Sequence, residues 1–154
     1  MSAICVAEGE DAERLVRVMS SRMCHRGPDG EGYHSDGNIS LGHRRTIIQT
    51  SPDITRPLSN EDGSIWITFD GILYNRGELQ RNLEKKHNFM TDSCAETVIH
   101  AYEEKGFDCL KSFRGDFAFS LWDSPKRLLF SARDIMGLKP LYYYLGKQNR
   151  NQGY

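Results

Sequence analysis

Two apolar segments joined by a short turn constrain the fold of this chain more than any other feature. Residues 117–122 and 127–132 have the composition of β-strands, and the connector 123–126 reads Asp-Ser-Pro-Lys, a turn-forming sequence. Strands joined by so short a connection form an antiparallel hairpin, because parallel strands need a crossover of about a dozen residues or more. We therefore expect antiparallel pairing in at least one sheet.

Strands and helices alternate along the rest of the chain, so the sequence predicts a mixed α and β domain. Residues 3–7 form a short apolar run that ends near Gly9, as in a buried strand, which puts Ser2 at the strand tip. Every second residue of 65–69 is apolar, the period of a strand with one face against a core. Residues 70 and 71 follow at the end of that strand.

Three helices are predicted from apolar residues at helical spacing. The first covers residues 11–24 and the second 77–87, and the third begins at Ser93, which forms a capping box with Glu96 three residues later. The residues expected to face the core are Leu15, Val16, Met19 and Met23 in the first helix, and Ala95, Val98, Ile99 and Tyr102 in the third.

Composition narrows the classes of function. The chain has 154 residues, the size of one domain, with 20 basic and 21 acidic side chains, so we expect neither nucleic acid nor an anionic membrane as a partner. It has neither the apolar run of a membrane span nor the start of a signal peptide, so we expect a cytoplasmic protein.

No metal site, disulfide or cofactor is predicted. The four cysteines lie far apart without a Cys-x-x-Cys pair, which favours reduced packing cysteines, and none of the five histidines stands in a catalytic motif. No phosphate-binding loop is present, so ATP and magnesium are not expected either.

Several short segments occur in the order and approximate spacing of one known family. They are residues 26–30 (Arg-Gly-Pro-Asp-Gly), 41–45, 60–64, 69–75, Glu96 with 100–104, 117–123 with 132–134, and 137–143. Across residues 26–144 the chain resembles the glutamine-hydrolysing domain of asparagine synthetases. The resemblance implies an α+β fold, the four-layer α/β/β/α sandwich of two mainly antiparallel sheets that N-terminal-nucleophile hydrolases share. It also implies a glutamine amidotransferase type 2-like domain over residues 1–145 and a polar, loosely ordered tail over 146–154.

In such hydrolases the first residue after removal of Met1 attacks the substrate, and its own α-amino group, with a pKa of about 8, acts as the base. The family has a nucleophilic cysteine at this place, whereas this chain has Ser2, small enough for Met1 to be removed. A hydroxyl is far less acidic than a thiol, so a site adapted to thiolate attack becomes less reactive with oxygen. Serine is nevertheless a nucleophile in other members of the wider class.

The oxyanion-hole positions of the family fall on Asp70 and Gly71. The family asparagine donates its amide to the developing negative oxygen, but an ionised Asp70 only accepts hydrogen bonds and repels it. Loss of one such donor costs about a hundredfold or more in rate. The Gly71 N–H can remain as half of the hole.

Two of the three glutamine-pocket positions are also altered. Ile72 replaces a glutamate, and Cys94 replaces the aspartate that binds the substrate ammonium, so glutamine is expected to bind poorly. Arg45 matches the arginine that holds the substrate carboxylate. Cys94 as a relocated nucleophile is disfavoured because the sequence offers it no neighbouring base.

Three functions remain open at this stage. The first, which we favour, is an asparagine synthetase-related domain whose glutaminase activity is lost or strongly reduced and which has a binding or regulatory role. The second is an active N-terminal serine amidohydrolase that releases ammonia from an amide. The third is a subunit held by a separate synthetase. Glutamine or another small amide, and a synthetase domain or subunit, are the partners expected; the sequence does not determine the oligomeric state.

Overall fold

The structure, a computed structural model, describes residues 2–46 and 57–146. Its strands are β1 (Ala3–Glu8), β2 (Gly30–Asp36), β3 (Ile39–Arg45), β4 (Leu58–Ser59), β5 (Ile65–Leu73), β6 (Gly115–Asp123) and β7 (Leu128–Arg133). Its α-helices are α1 (Ala12–Arg22), α2 (Arg76–Leu83) and α3 (Cys94–Lys105), with 3₁₀ turns at Cys24–Arg26 and Gly106–Ser112. Apart from Gly146, the polar tail predicted over 146–154 lies outside the described residues.

The strands form two sheets in which every neighbouring pair is antiparallel. Sheet A has the order β1-β3-β2, and sheet B has the order β4-β5-β6-β7. The hairpin predicted from the sequence is confirmed as β6 and β7, whose register pairs Asp123 with Leu128 across the turn. Arg127 closes this turn with φ of 49°, a left-handed conformation.

The elements stack in four layers. Helix α1 packs on β1 and β3 of sheet A, and β1 and β3 in turn contact β5 of sheet B. The other face of sheet B packs against α3, beside which α2 lies. The predicted four-layer α/β/β/α sandwich is therefore confirmed. Within 2–46 and 57–146, none of the helices has the length and apolar character that a bilayer crossing requires.

Strand β5 is buried on both faces, although its alternating sequence predicted one buried face. Ile67 and Phe69 lie in the apolar core with α3, as expected. Thr68 points the other way and is also fully buried, because sheet A covers that face and Gly42 accepts a hydrogen bond from the Thr68 hydroxyl at 3.1 Å. A threonine was thus tolerated at a buried position because the facing strand supplies a backbone acceptor.

The prediction for helix α1 was wrong in detail. Leu15 was expected in the core but is 42% exposed, whereas Val16 is fully buried. The buried stripe consists of Ala12, Val16 and Ser20, at a spacing of four residues. Small residues suit this stripe because α1 lies close to Gly42 of β3, where an added Cβ would come within 2.7 Å of Val16.

Helix α3 matches its prediction. Ala95, Val98, Ile99 and Tyr102 are all buried. The Ser93 hydroxyl accepts a hydrogen bond from the Glu96 N–H at 3.2 Å, as in a capping box. The Glu96 carboxylate does not complete the box; it accepts hydrogen bonds from the N–H groups of Met90 and Thr91 and so holds the preceding loop.

The four cysteines differ in burial: Cys109 is buried, Cys5 and Cys94 are half-buried, and Cys24 is exposed, so the predicted packing role does not extend to Cys24. None of the four, all within the described residues, forms a disulfide. Burial raises the pKa of Cys5 to about 12 and that of Cys109 to about 11, so both thiols stay protonated at neutral pH.

Asp123 connects helix α3 to the β6–β7 turn. Its carboxylate accepts hydrogen bonds from the Tyr102 hydroxyl at 2.9 Å and from the Lys126 ammonium at 2.7 Å, and it is 2% exposed. Burial alone would raise the pKa of Asp123, but the hydrogen bonds from Lys126 and Tyr102 outweigh it, and the pKa lies below its ordinary value. The carboxylate form is therefore favoured in the folded chain.

We predict that Asp123→Asn lowers the free energy of unfolding by about 2 kcal/mol at pH 7, because it removes charge-assisted hydrogen bonds from a buried site. The pKa of Asp123 is lower in the folded chain than in the unfolded chain, where it is about 3.9. The stability that its carboxylate contributes is therefore complete above about pH 3.9 and is lost as the pH falls through the folded pKa. Urea unfolding at several pH values measures this difference, which should shrink below about pH 4.

The control is Asp108→Asn. Asp108 pairs with Lys111 at 2.7 Å, but both side chains are exposed, so its loss should change stability by less than about 0.5 kcal/mol. An Asp123 variant as stable as the Asp108 variant at pH 7 would contradict the assignment.

Candidate functional site

Ser2 and Arg45 lie at the same end of sheet A. Ser2 immediately precedes β1, as predicted, and β1 pairs with β3 in a register that sets Ala3 opposite Arg44. One step further along the antiparallel pair, Ser2 comes opposite Arg45. Two residues that are 43 positions apart in the sequence are thus brought together by strand pairing.

Two contacts between the sheets fix which end of sheet B meets this end of sheet A. Near one end, the Trp122 indole donates a hydrogen bond to Asp36 at 2.7 Å. Further along, the Thr68 hydroxyl donates to Gly42. Packed sheets keep their strands roughly aligned. Asp70 follows Thr68 by two residues along β5, so it lies toward the end of sheet A that carries Arg44, Arg45 and Ser2.

The Asp70 side chain points into the space between the sheets. Side chains alternate along β5, so Asp70 shares the face of Thr68 and not that of Phe69. It is 7% exposed. The structure therefore brings three of the predicted site residues, Ser2, Arg45 and Asp70, to one end of the interface between the sheets.

Asp70 has an ion-pair partner that the sequence did not reveal. The Lys139 ammonium lies 3.3 Å from one carboxylate oxygen of Asp70 and 3.4 Å from the other. Both side chains are largely buried, with 9% of Asp70 and 20% of Lys139 exposed. The pair carries no net charge, so the carboxylate is compensated, but its oxygens still accept hydrogen bonds and donate none.

Lys139 is positioned by the segment that follows β7. The Asp134 carboxylate accepts hydrogen bonds from the N–H groups of Leu138 and Lys139, both at 3.0 Å. Burial would raise the pKa of Asp134, but these backbone hydrogen bonds outweigh it and the pKa lies below the ordinary value. The Asp134 N–H in turn donates to Phe117 O at 2.8 Å, which fixes the segment to β6.

Gly71 is required for two reasons. Its φ is +140°, which L side chains rarely adopt, and an added Cβ would lie 2.1 Å from Asp116 O on the neighbouring strand. Phe117, opposite Gly71, uses its carbonyl toward Asp134 on the β7 side. In an antiparallel ladder this makes Gly71 and Phe117 a pair without mutual hydrogen bonds, so the Gly71 N–H points away from β6.

That direction leads to the side of β5 where β4 lies. Strand β4 pairs only with Ile67 and Trp66, and within the described ranges no strand pairs with β5 at Gly71. Leu73, two residues on, has the same orientation, and its N–H donates to the Cys94 sulfur at 3.3 Å. The Gly71 N–H thus lies on the side of β5 away from β6.

Ile72 and Cys94 lie beside this strand end. Ile72 is 52% exposed, so it presents apolar surface where the resemblance implies a carboxylate. Cys94 is the first residue of α3 and is half-buried, and its sulfur accepts the Leu73 hydrogen bond. Both lie within reach of the end of β5, which is consistent with the pocket positions predicted for them.

The loop 26–30 packs against the end of β3. An added Cβ on Gly27 would lie 2.5 Å from the Arg44 backbone, so the loop packs tightly on the end of β3. The Asp29 N–H donates to Arg45 O at 3.0 Å, and the Thr46 hydroxyl donates to Arg26 O at 2.8 Å. The loop thereby supports the backbone that carries Arg45.

Sequence reasoning missed Lys139 and Asp134 as parts of the site. Both lie in segments that contributed to the family resemblance, residues 132–134 and 137–143, but no role followed from the residues alone. The available signal was the aspartate at the end of a predicted buried strand. A buried carboxylate requires a cationic partner, so a lysine or arginine from a distant segment was to be expected near Asp70.

Known proteins share both the sequence family and the fold of this domain. The sequence matches the family described as glutamine amidotransferase domain over residues 1–153. The glutamine-hydrolyzing asparagine synthetase 1 of Bacillus subtilis (strain 168) is 40% identical over 139 residues, which is 90% of this chain and 22% of the relative. The glutamine-hydrolyzing asparagine synthetase 2 of Oryza sativa subsp. japonica is 41% identical over 143 residues, 92% of this chain and 24% of the relative. The chain thus spans less than a quarter of the length of these relatives.

The fold has a match among solved structures. Glutamine phosphoribosylpyrophosphate amidotransferase from B. subtilis superposes with a TM-score of 0.67 at 20% identity, over 80% of this chain and 35% of that one. This likeness supports the N-terminal-nucleophile hydrolase fold. Since the family match extends over nearly the whole sequence, the chain belongs to the class II glutamine amidotransferase domain family and is similar to the domain found in asparagine synthetases.

Proposed function

We propose that this domain keeps the amidotransferase architecture but has lost, or strongly reduced, glutamine hydrolysis, and that it has a binding or regulatory role. The observation that carries the proposal is the carboxylate of Asp70, buried between the sheets at the oxyanion position. A functional hole needs donors aimed at the developing negative oxygen, and a carboxylate is an acceptor. The Gly71 N–H is then the only family donor retained.

The electrostatics differ from those expected for an isolated Asp70. Lys139 compensates its charge, so repulsion of an oxyanion is weaker than the sequence alone implies. The ammonium is, however, engaged by both carboxylate oxygens, at 3.3 and 3.4 Å. The loss of the amide donor therefore remains the main effect, about a hundredfold or more in rate.

Recognition of glutamine is weakened as well. Cys94 stands where the resemblance implies an aspartate for the substrate ammonium, and a thiol cannot supply that negative charge while it is protonated. Arg45, which lies at the same end of sheet A as Ser2, remains suited to a carboxylate. The site thus favours a carboxylate-bearing ligand without a requirement for a cationic group.

The partner proposed for this domain is a synthetase domain or subunit. The relatives it matches are asparagine synthetases, and the chain corresponds to less than a quarter of their length. A domain that no longer hydrolyses glutamine could still bind such a partner and sense a ligand. A cytoplasmic setting is proposed with it.

The Lys139 ammonium supports a second candidate function. If it turns from Asp70 to the reacting oxygen, Lys139 and Gly71 together would form an oxyanion hole, and Ser2 would be the nucleophile of an N-terminal serine amidohydrolase. The altered pocket would then suit an amide less polar than glutamine.

Mass spectrometry of the N-terminus combined with a glutaminase assay separates the two functions. The amidohydrolase requires removal of Met1, because the α-amino group must belong to Ser2. We expect no Ser2-dependent release of ammonia from glutamine. Rapid release that Ser2→Ala abolishes would overturn the first proposal, and retention of Met1 would exclude the second.

We predict that Ser2→Cys alone does not restore glutamine hydrolysis, whereas Ser2→Cys with Asp70→Asn, Ile72→Glu and Cys94→Asp does. The quadruple variant regains the thiol, the amide donor and the pocket carboxylates, and its kcat/KM should exceed that of Ser2→Cys by about a hundredfold or more. Glutamate formation measures both.

The matched control carries Ser2→Ala with the same three pocket changes. It has the restored pocket but no nucleophile, so it should bind glutamine without hydrolysing it. Equal activity of the single and quadruple cysteine variants would show that the pocket residues are wrongly assigned.

We predict that Lys139→Met lowers the free energy of unfolding by about 3 kcal/mol, because it leaves the largely buried Asp70 carboxylate without its counter-charge. Adding Asp70→Asn should recover part of this loss, and chemical denaturation of both variants measures the coupling.

Lys111→Met serves as the control, since Lys111 pairs with Asp108 on the exposed surface and should cost less than about 0.5 kcal/mol. Lys139→Met that is as stable as this control would contradict the Asp70–Lys139 pair. If the domain has amidohydrolase activity that Lys139→Met abolishes and Lys111→Met does not, this result would favour the second candidate function.

A further inference from the structure

A cluster of two histidines and two glutamates lies apart from the site described above. Glu61 is in the turn between β4 and β5, His87 follows α2, and His100 and Glu103 are in α3. One ligand atom from each of Glu61, His87 and His100 lies within 4.8 Å of the others. Along α3, His100 is six residues from Cys94, or about 9 Å.

The two imidazoles are held side by side. Their ring centroids are 4.5 Å apart with planes inclined by 28°. Glu103 Oε2 lies 2.8 Å from Nδ1 of His100 and 3.4 Å from Nδ1 of His87. Glu104 Oε1 lies 3.2 Å from Nε2 of His87. Carboxylates in these positions fix the tautomer and orientation of the two rings, as the outer carboxylates of protein metal sites do.

Glu103 is itself held in place. The Asn60 side-chain amide donates to Glu103 Oε1 at 2.8 Å, and the Asn60 side-chain carbonyl accepts from Ile65 N at 3.0 Å. The turn that carries Glu61 is therefore tied to α3 by its neighbour Asn60. The arrangement is preorganised by hydrogen bonds between distinct segments.

One polar atom in the cluster has no partner. His100 is fully buried, and its Nε2 makes no hydrogen bond within the part of the chain that the structure describes. The Oε1 atom of Glu96 lies 3.9 Å from this nitrogen, which is too far for a hydrogen bond. Buried polar atoms are ordinarily paired, so this imidazole nitrogen is available to a ligand.

We propose that Glu61, His87 and His100 bind a divalent transition-metal ion, with Zn²⁺ the best fit, and that Glu103 orients the His100 imidazole and Glu104 that of His87. Zinc takes imidazole nitrogen and carboxylate oxygen at about 2.0–2.2 Å, usually with four ligands. Magnesium and calcium prefer oxygen ligands, so two imidazoles disfavour them.

The ligand atoms have to approach one another by about an ångström or more to reach zinc distances. His100 is fixed in the core, whereas Glu61 is exposed at a turn, so the Glu61 side chain makes most of this movement. The fourth position is filled by water. The ion would link the β4–β5 turn, the segment after α2, and α3, which makes its role structural.

The sequence predicted no metal at these residues, because 61, 87 and 100 are far apart and form no spaced motif. The fold alone brings them together. The proposal does not depend on the state of the Ser2 site.

The test is titration of the untagged chain with Zn²⁺ in competition with a chromophoric zinc indicator. We expect one equivalent to bind and X-ray absorption to show two imidazole ligands. His87→Ala and Glu61→Gln should each weaken binding by at least about tenfold. Neither side chain is fully buried, so both variants should fold, which far-UV circular dichroism verifies.

His25→Ala combined with Cys24→Ser is the control. These residues are adjacent and exposed, the most accessible alternative zinc ligands, and lie outside the cluster. Binding that survives in the control but weakens in the His87 and Glu61 variants supports the proposal. No binding to the wild-type chain, or equal binding by the wild-type chain and the cluster variants, would overturn it, as would loss of binding in the control alone.

Discussion

The face-to-face packing of the two antiparallel sheets is the constraint on which the rest of this structure depends. A sheet three or four strands wide exposes two faces, and here each sheet buries one face against helices and the other against its partner. Strand β5 lies at the centre of this arrangement, with Phe69 toward α3 and Thr68 toward sheet A. The end of β5 therefore opens directly onto the tip of β1.

That geometry gives Asp70 its importance. A carboxylate at this depth is costly to bury unless it is compensated, and Lys139 compensates it. The lysine comes from a segment that Asp134 holds against β6, so the pair depends on structure outside both sheets. The scaffold thus compensates the buried carboxylate of Asp70, which explains how the domain can fold with a charge at the position that we propose for the oxyanion hole.

The strands and helices were predictable where local patterns were strong. The β6–β7 hairpin followed from its turn residues, and the start of α3 from Ser93 and Glu96. The prediction for α1 was wrong at Leu15 because several apolar residues compete for the buried face, and only the close approach of β3 at Gly42 selects Ala12 and Val16. The residues of the candidate site remain a prediction from the family resemblance, and their contacts could not be predicted, since the pairing of Lys139 with Asp70 does not follow from spacing.

The sequence by itself determined the alternating elements, the family, and the residue types at positions 2, 70, 72 and 94, because these depend on local chemistry and on the order of motifs. Tertiary structure decided which charges meet. It set Lys139 against Asp70, Arg45 opposite Ser2, and Glu61 beside His87 and His100. The physical reason is that an ion pair or a ligand cluster depends on distances of a few ångströms between segments, and those distances are set by strand register and layer packing.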